Sequence, residues 1–76
     1  MSEVRWLKEF GERLTWLMNY TWTSQDELAK ILGVTQSTVS RYMRGLQMPD
    51  VDTVVAIARE LDYDINKLID FGFDVY

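Results

Sequence analysis

The chain has 76 residues, of which 47% are hydrophobic and 26% charged, and this composition is typical of one small globular domain over residues 1–76. It contains neither cysteine nor histidine, which removes disulfides, thiolate and imidazole nucleophiles and the usual zinc ligands. An enzyme is therefore a disfavoured alternative, since only carboxylates and tyrosines would be left to titrate. No apolar run approaches the roughly 18 residues of a membrane span, and the first ten residues lack a signal peptide's apolar core, so we expect a cytoplasmic protein.

The net charge of −4 is unevenly distributed along the chain. Residues 1–22 are neutral overall and residues 23–48 carry a net charge of +1, whereas residues 49–76 hold seven acidic and two basic side chains. A nucleic-acid-binding protein usually has a basic balance, so the acidic excess argues against one unless the acidic third lies away from the nucleic acid.

The first predicted helix spans roughly residues 3 to 20. Its apolar side chains recur at spacings of three and four, the pattern of a helix with one buried stripe, and they are Leu7, Phe10, Leu14, Leu17 and Met18. A second helix runs to about Leu32. Ser24 and Glu27 have the spacing of a capping box, while Thr23 with Asp26 would start the helix one residue earlier.

The ends of the second and third helices are marked by glycines. We expect Gly33 to end the second helix in the left-handed conformation, and Gly45 to end a short third helix that begins after Thr35. The predicted buried residues of these two helices are Leu28, Ile31, Leu32, Val39, Tyr42 and Met43.

Two further helices are predicted after the loop that ends at Pro49. Asp50 is the expected N-cap of a fourth helix that ends near Leu61, with Val51, Val54, Val55, Ala58 and Leu61 inward and Ile57 at its margin. Asp64 caps a last helix that buries Ile65, Leu68 and Ile69. The sequence thus predicts an all-α fold, a compact bundle of five helices. The tryptophans Trp6, Trp16 and Trp22 stand at helical spacing, which favours a core or interface role over base stacking.

Residues 24–45 resemble the helix-turn-helix of the Cro and phage-repressor (lambda repressor-like) DNA-binding domains, and the similarity extends over roughly residues 11 to 69. Several positions have a steric role in such a motif. Ala29 is small where the two helices approach, Gly33 makes the turn, and the wedge between the helices is filled by Leu28, Leu32, Val34, Val39 and Tyr42. The resemblance implies a sequence-specific transcriptional regulator of double-stranded DNA that needs no cofactor and no metal.

The resemblance also implies which residues contact DNA. The N-terminal half of the second helix of the motif enters the major groove, so the expected base readers are Gln36, Ser37 and Arg41. Glutamine can bond adenine in two places and arginine can do the same with guanine. The expected contacts to the DNA backbone are Gln25, Thr35, Thr38, Ser40, Arg44 and Gln47. An exposed polar side chain on a helix is otherwise most often merely solvated.

Two positions depart from the family in a correlated way. Many relatives carry an arginine near the end of the first helix and a glutamate in the third helix, which form a buried ion pair, whereas this chain has Met18 and Met43. Loss of one partner alone would leave a buried charge unpaired, but loss of both keeps the packing. We therefore expect Met18 and Met43 to touch. A second departure is the scarcity of basic residues around residues 45–49, which implies weak nonspecific binding and reliance on dimerisation.

The family's operators are palindromic, so the resemblance implies a homodimer. The candidate dimer surface is the corner of the fourth and fifth helices together with the C-terminal tail, residues 70–76, whose apolar members are Phe71, Phe73, Val75 and Tyr76. The alternative is that the tail folds back onto its own core. The main rival function is a protein-interaction module, such as an antitoxin or anti-repressor with the same fold, which the acidic net charge favours.

Overall fold

A computed structural model describes the backbone of residues 3–69 and the side chains of residues 6–69. Five helices follow one another in this part of the chain, which confirms the all-α expectation: α1 (Glu3–Tyr20), α2 (Gln25–Leu32), α3 (Gln36–Met43), α4 (Val51–Glu60) and α5 (Ile65–Leu68). Helix α1 packs against α3 and α5, α2 against α3 and α4, and α4 against α5. The tail proposed for dimerisation, residues 70–76, lies outside the described residues.

The predicted N-caps begin the helices as expected. The Ser24 side chain accepts a hydrogen bond from the Glu27 amide, and the Glu27 carboxylate accepts one from the Ser24 amide, both at 3.1 Å. This complete capping box decides against the start at Thr23. Thr35, Asp50 and Asp64 cap α3, α4 and α5 in the same way, each with its side-chain oxygen on a helix amide.

One core is shared by all five helices. Its fully or nearly fully buried members include Phe10, Leu14, Leu17, Met18, Leu28, Val39, Val54, Ile57 and Leu68. None of the buried side chains among the described residues is polar or charged. The apolar stripes read from the sequence therefore account for most of the core.

Four apolar residues lie differently from the prediction. Ile69, expected to be buried by the last helix, is 40% exposed, because it follows the end of α5 and lines an open groove. Ile57 is fully buried rather than marginal, because the inward stripe of α4 runs through Val54, Ile57 and Leu61. Val51, the first residue of that helix, is 77% exposed and lines an open groove instead of the core. Ile31 is 47% exposed, since Leu28 and its neighbours already cover the side of α2 that faces α3.

The tryptophans are not core residues. Trp6, Trp16 and Trp22 are 41%, 52% and 91% exposed, so the core interpretation of these side chains is wrong. Trp16 stacks on Tyr20 with ring centroids 5.2 Å apart and also approaches Tyr63 at 5.9 Å. No described helix is both long and apolar enough to cross a membrane.

Backbone packs directly on backbone where α1 crosses the end of α3. A Cβ atom at Gly11 would lie 2.6 Å from the Met43 carbonyl oxygen and 2.8 Å from the amide nitrogen of Gly45. Gly45 has a φ of +70°, and a Cβ there would lie 2.9 Å from the Cα of Lys8. Since real Cβ atoms do not approach other atoms so closely, only glycine fits at both positions and α3 is held at a fixed angle to α1.

Candidate nucleic-acid interface

Helices α2 and α3 form a compact pair joined by a tight turn. Gly33 ends α2 with a φ of +70°, as predicted, and the amide of Val34 bonds to the carbonyl of Ala29 at 3.0 Å. Leu28 and Val39 are fully buried between the helices, and Tyr42 is 5% exposed. Leu32 and Val34 pack partly buried against this core. The side chains that the sequence predicts for the wedge are thus where the motif requires them.

The opposite face of α3 is polar. Gln36 and Ser37, in its first turn, are exposed, and Thr38, Ser40 and Arg41 are half-buried. Because the apolar side chains hold the other face of α3 on the core, these five residues form the part of the helix that can meet another molecule. We call this set the α3 face.

A chain of hydrogen bonds crosses the α3 face. Thr35 Oγ1 accepts the Thr38 amide at 3.1 Å and lies 2.9 Å from Thr38 Oγ1. Thr38 Oγ1 accepts from Nη2 of Arg41 at 3.0 Å, and Arg41 Nε donates to Oε1 of Gln47 at 3.0 Å. Four of the predicted DNA-contacting residues, Thr35, Thr38, Arg41 and Gln47, are therefore connected to one another.

The remaining predicted backbone contacts lie at helix ends. Gln25 is the first residue of α2, directly after the N-cap Ser24, and Arg44 is the exposed C-cap of α3. The first turn of α2 is acidic, but both of its carboxylates already have partners. Asp26 pairs with Lys30 at 3.2 Å, and Glu27 accepts the Ser24 amide. Neither Gln25 nor Arg44 takes part in the hydrogen-bond chain from Thr35 to Gln47.

Two titratable groups next to the α3 face have shifted pKa values. Hydrogen bonds from the side chain and the amide of Thr53 hold the pKa of the Asp50 carboxyl below its usual value. Burial raises the pKa of the Tyr42 hydroxyl, and the negative charge of Asp50 adds to this rise against the opposing effect of Arg41. Asp50 is thus ionised, and Tyr42 neutral, at physiological pH.

Other basic residues have structural roles. Arg13 donates a hydrogen bond to the carbonyl of Lys67, which ties α1 to the end of α5. Within residues 6–69 there is no group of carboxylates that could hold a metal ion.

Sequence reasoning missed two features that support this surface. Gly11 stands inside a helical pattern, which already signals a close backbone approach. The bond between Arg41 and Gln47 joins residues six apart across the end of α3, and no periodicity predicts it.

A buried wedge between two short helices, with a polar face on the second, defines a helix-turn-helix protein of the DNA-binding, transcription-regulator class. The chain belongs to the HTH_3 helix-turn-helix family, whose model matches residues 23–68. This confirms the resemblance to Cro and phage-repressor domains.

Solved structures agree with this family. The chain is similar to the restriction-modification controller protein C.AhdI from Aeromonas hydrophila, with 31% identity and a TM-score of 0.75 over 82% of this chain and 94% of that one. It also resembles in fold an HTH_3 family transcriptional regulator from Vibrio cholerae, with 21% identity and a TM-score of 0.79. That match covers 93% of this chain and 40% of the longer regulator. No curated protein sequence is significantly similar to this chain.

Proposed function

We propose that this protein is a sequence-specific transcriptional regulator that binds a palindromic operator in double-stranded DNA as a homodimer. The observation that carries the proposal is the α3 face, a polar surface held outward by a buried wedge. Because such a regulator must reach DNA, we propose that the protein is cytoplasmic. We also propose that residues 1–76 form a single domain built on the shared core.

Gln36, Ser37 and Arg41 are the proposed base readers. They lie on the side of α3 away from the core, and the major groove is wide enough to admit an α-helix such as α3. Arg41 is proposed to bond guanine and Gln36 to bond adenine, each discriminating against a wrong base by about 1–3 kcal/mol.

Gln25, Thr35, Thr38, Ser40, Arg44 and Gln47 are the proposed contacts to the DNA backbone. The hydroxyls of Thr35 and Thr38 support this role. They share one hydrogen bond, and whichever of them donates it, the hydroxyl hydrogen of the other is not used in that bond. That hydrogen can be donated to a phosphate oxygen.

Selection from a random library of duplex DNA tests the proposal. An enriched palindrome is expected, and Arg41→Ala should relax the preference at one base pair of each half-site. Arg59→Ala is the matched control, since it removes the same charge from an exposed site on α4. Equal effects of the two substitutions, or no enriched sequence from the unaltered chain, would contradict the proposal.

The salt dependence of binding should be shallow. Between residues 23 and 48 the cations are Lys30, Arg41 and Arg44, and Lys30 is already paired with Asp26. Since Arg41 is assigned to a base, Arg44 is the one cation of this segment left for a phosphate, and the slope of log K against log salt should be about −1 per protomer.

Dimerisation is proposed to use the start of α4 and the end of α5. Trp6, Met48, Val51 and Ile69 are exposed there and line an open groove of about 590 Å³ together with Pro49, Val54 and Ile65. An apolar groove of this kind is typical of a surface that another protein covers. The tail residues Phe71, Phe73, Val75 and Tyr76 follow directly after Ile69 and are proposed to take part.

Analytical ultracentrifugation can measure separately how much the tail and the groove contribute to dimerisation. A chain truncated after Ile69 should associate more weakly if the tail takes part, and an unchanged association constant would remove the tail from the interface. Val51→Ser tests the groove itself. Trp16→Ser is the control, because Trp16 is also exposed, at 52%, but lies outside the groove, against Tyr20 and Tyr63.

A protein-interaction module is the second candidate, favoured by the same apolar groove and by the net charge of −4. If the target is a protein that docks in this groove, Val51→Ser should abolish its binding and Arg41→Ala should leave it unchanged. Loss of base preference on duplex DNA in Arg41→Ala supports the regulator, and Val51→Ser should then weaken DNA binding only as far as it weakens dimerisation.

A further inference from the structure

Gln47 lies outside the helix-turn-helix, yet it bonds to the arginine proposed to read a base. It stands three residues beyond the C-cap of α3, is exposed, and accepts a hydrogen bond from Arg41 Nε. On the other side, Arg41 Nη2 donates to Thr38. The guanidinium is thus held between two side chains before any DNA is present.

These two bonds leave a defined set of donors. A guanidinium has five N–H groups, of which Arg41 uses one at Nε and one at Nη2. Two hydrogens on Nη1 and one on Nη2 are left. The edge of the guanidinium that contains Nε is therefore engaged within the protein, and the end formed by the two terminal nitrogens is available.

We propose that Gln47 is a specificity-determining positioning residue, which holds Arg41 so that its two terminal nitrogens present an end-on pair of donors to the O6 and N7 atoms of a guanine. This inference rests on the proposed DNA-binding function. It assigns Gln47 an effect on base preference through Arg41, in addition to any contact with phosphate.

The physical basis is pre-organisation. A free arginine loses rotamer freedom when it bonds a base, and an arginine that is already held loses less. Because a wrong base offers no matching pair of acceptors, the smaller loss of side-chain entropy strengthens binding mainly to guanine. Loss of the Gln47 bond should then reduce the preference for guanine by about two- to tenfold.

Dissociation constants for two duplexes test the proposal. The duplexes differ only at the base pair where Arg41→Ala loses preference, with guanine in one and adenine in the other. The preference is the dissociation constant for the adenine duplex divided by that for the guanine duplex. Gln47→Ala is expected to reduce this ratio. In an Arg41→Ala background it should have no effect on the ratio. Gln47→Glu keeps the acceptor for Nε, so it should preserve the ratio while weakening binding to both duplexes through charge repulsion.

A uniform loss of affinity for both duplexes in Gln47→Ala, additive with Arg41→Ala, would show a phosphate contact only and overturn the proposal. Thermal unfolding of each variant checks that the exposed position 47 has not altered the fold. If the unaltered chain binds no duplex selectively, the proposed regulator function is wrong. This outcome differs from one in which the unaltered chain is selective and only the role of Gln47 is contradicted.

NMR of the DNA-free protein gives a second readout. The Nε–H signal of Arg41 should exchange slowly with solvent and should shift and exchange faster in Gln47→Ala, whereas the signal of the exposed Arg44 serves as the control. An unchanged Arg41 signal would contradict the positioning role even if DNA binding is intact.

Discussion

Gly11 of α1 lies against the carbonyl oxygen of Met43 at the end of α3, so close that a single added methyl group would stand 2.6 Å from that oxygen. Thr15 reinforces the same crossing, because its hydroxyl donates to the Gly11 carbonyl at 2.8 Å and approaches the Met43 carbonyl at 3.5 Å. The angle at which α3 leaves the core is therefore set by contact between two backbones.

Gly11→Ala should destabilise the fold although alanine is the better helix former. Alanine gains about 1 kcal/mol of helix propensity over glycine, but separating two packed helices costs about 1–3 kcal/mol. We expect a net decrease in the free energy of unfolding, measured by urea denaturation. Glu12→Ala, at the next and exposed position of α1, is the control and should change stability little. A more stable Gly11→Ala variant would mean that α3 can move away freely.

The expected contact between Met18 and Met43 stays a prediction. Met18 is 2% exposed within the core and Met43 packs against the same core, partly buried. If the two side chains touch, the effects of Met18→Ala and Met43→Ala on the free energy of unfolding should differ from additivity by about 0.5 kcal/mol or more. Met48, which is 38% exposed in the loop after α3, provides a matched pair with Met18 that should be additive. Additivity in both pairs would contradict the contact.

Acid should weaken the start of α4. Because the folded-state pKa of Asp50 lies below its usual value of 3.8, its carboxylate contributes stability that is present above that value and is lost as the pH falls through the lower folded-state pKa. Asp50→Asn keeps a capping oxygen without the charge. The difference in urea midpoint between the two proteins should therefore shrink as the pH is lowered from about 5 to 2. A difference that is independent of pH would contradict the role of Asp50.

Alkali should weaken the α2–α3 pair. The folded-state pKa of Tyr42 lies above 10.0, so its contribution is fully present below pH 10.0 and is lost as the pH rises through the folded-state value. Tyr42→Phe should unfold with less dependence on pH in that range. Tyr20→Phe is the control, since Tyr20 is 70% exposed, and it should retain the loss of stability at high pH.

The fold could be predicted from the sequence because its signals are local. Ser24, Thr35, Asp50 and Asp64 each cap the helix they were expected to cap, and spacings of three and four identify most of the core. The predicted burial was wrong for some apolar residues at the ends of helices. Val51 has the right spacing for the inward stripe of α4, but it is the first residue of the helix and lies on the groove.

The positions of the candidate residues on α3 could be predicted from the sequence, but the hydrogen bonds between them could not. The motif locates Thr38 and Arg41 on α3, and α3 carries them there. That Arg41 is bonded on both sides depends on the path of the loop after Gly45, which tertiary packing determines. The exposure of Trp22 could not be predicted from the sequence either. Trp22 has a left-handed φ of 58° after the end of α1, and its side chain is 91% exposed.

Gly45 links the first helix to the loop after α3. A Cβ atom at Gly45 would meet the backbone of Leu7 and Lys8, and the loop that carries Gln47 starts from this point. The position of Gln47 relative to Arg41 thus depends indirectly on the first helix. If Gln47 positions Arg41 as proposed, substitutions in α1 that displace Lys8 should change the preferred DNA sequence, so that evolution of base preference can act through residues outside α3.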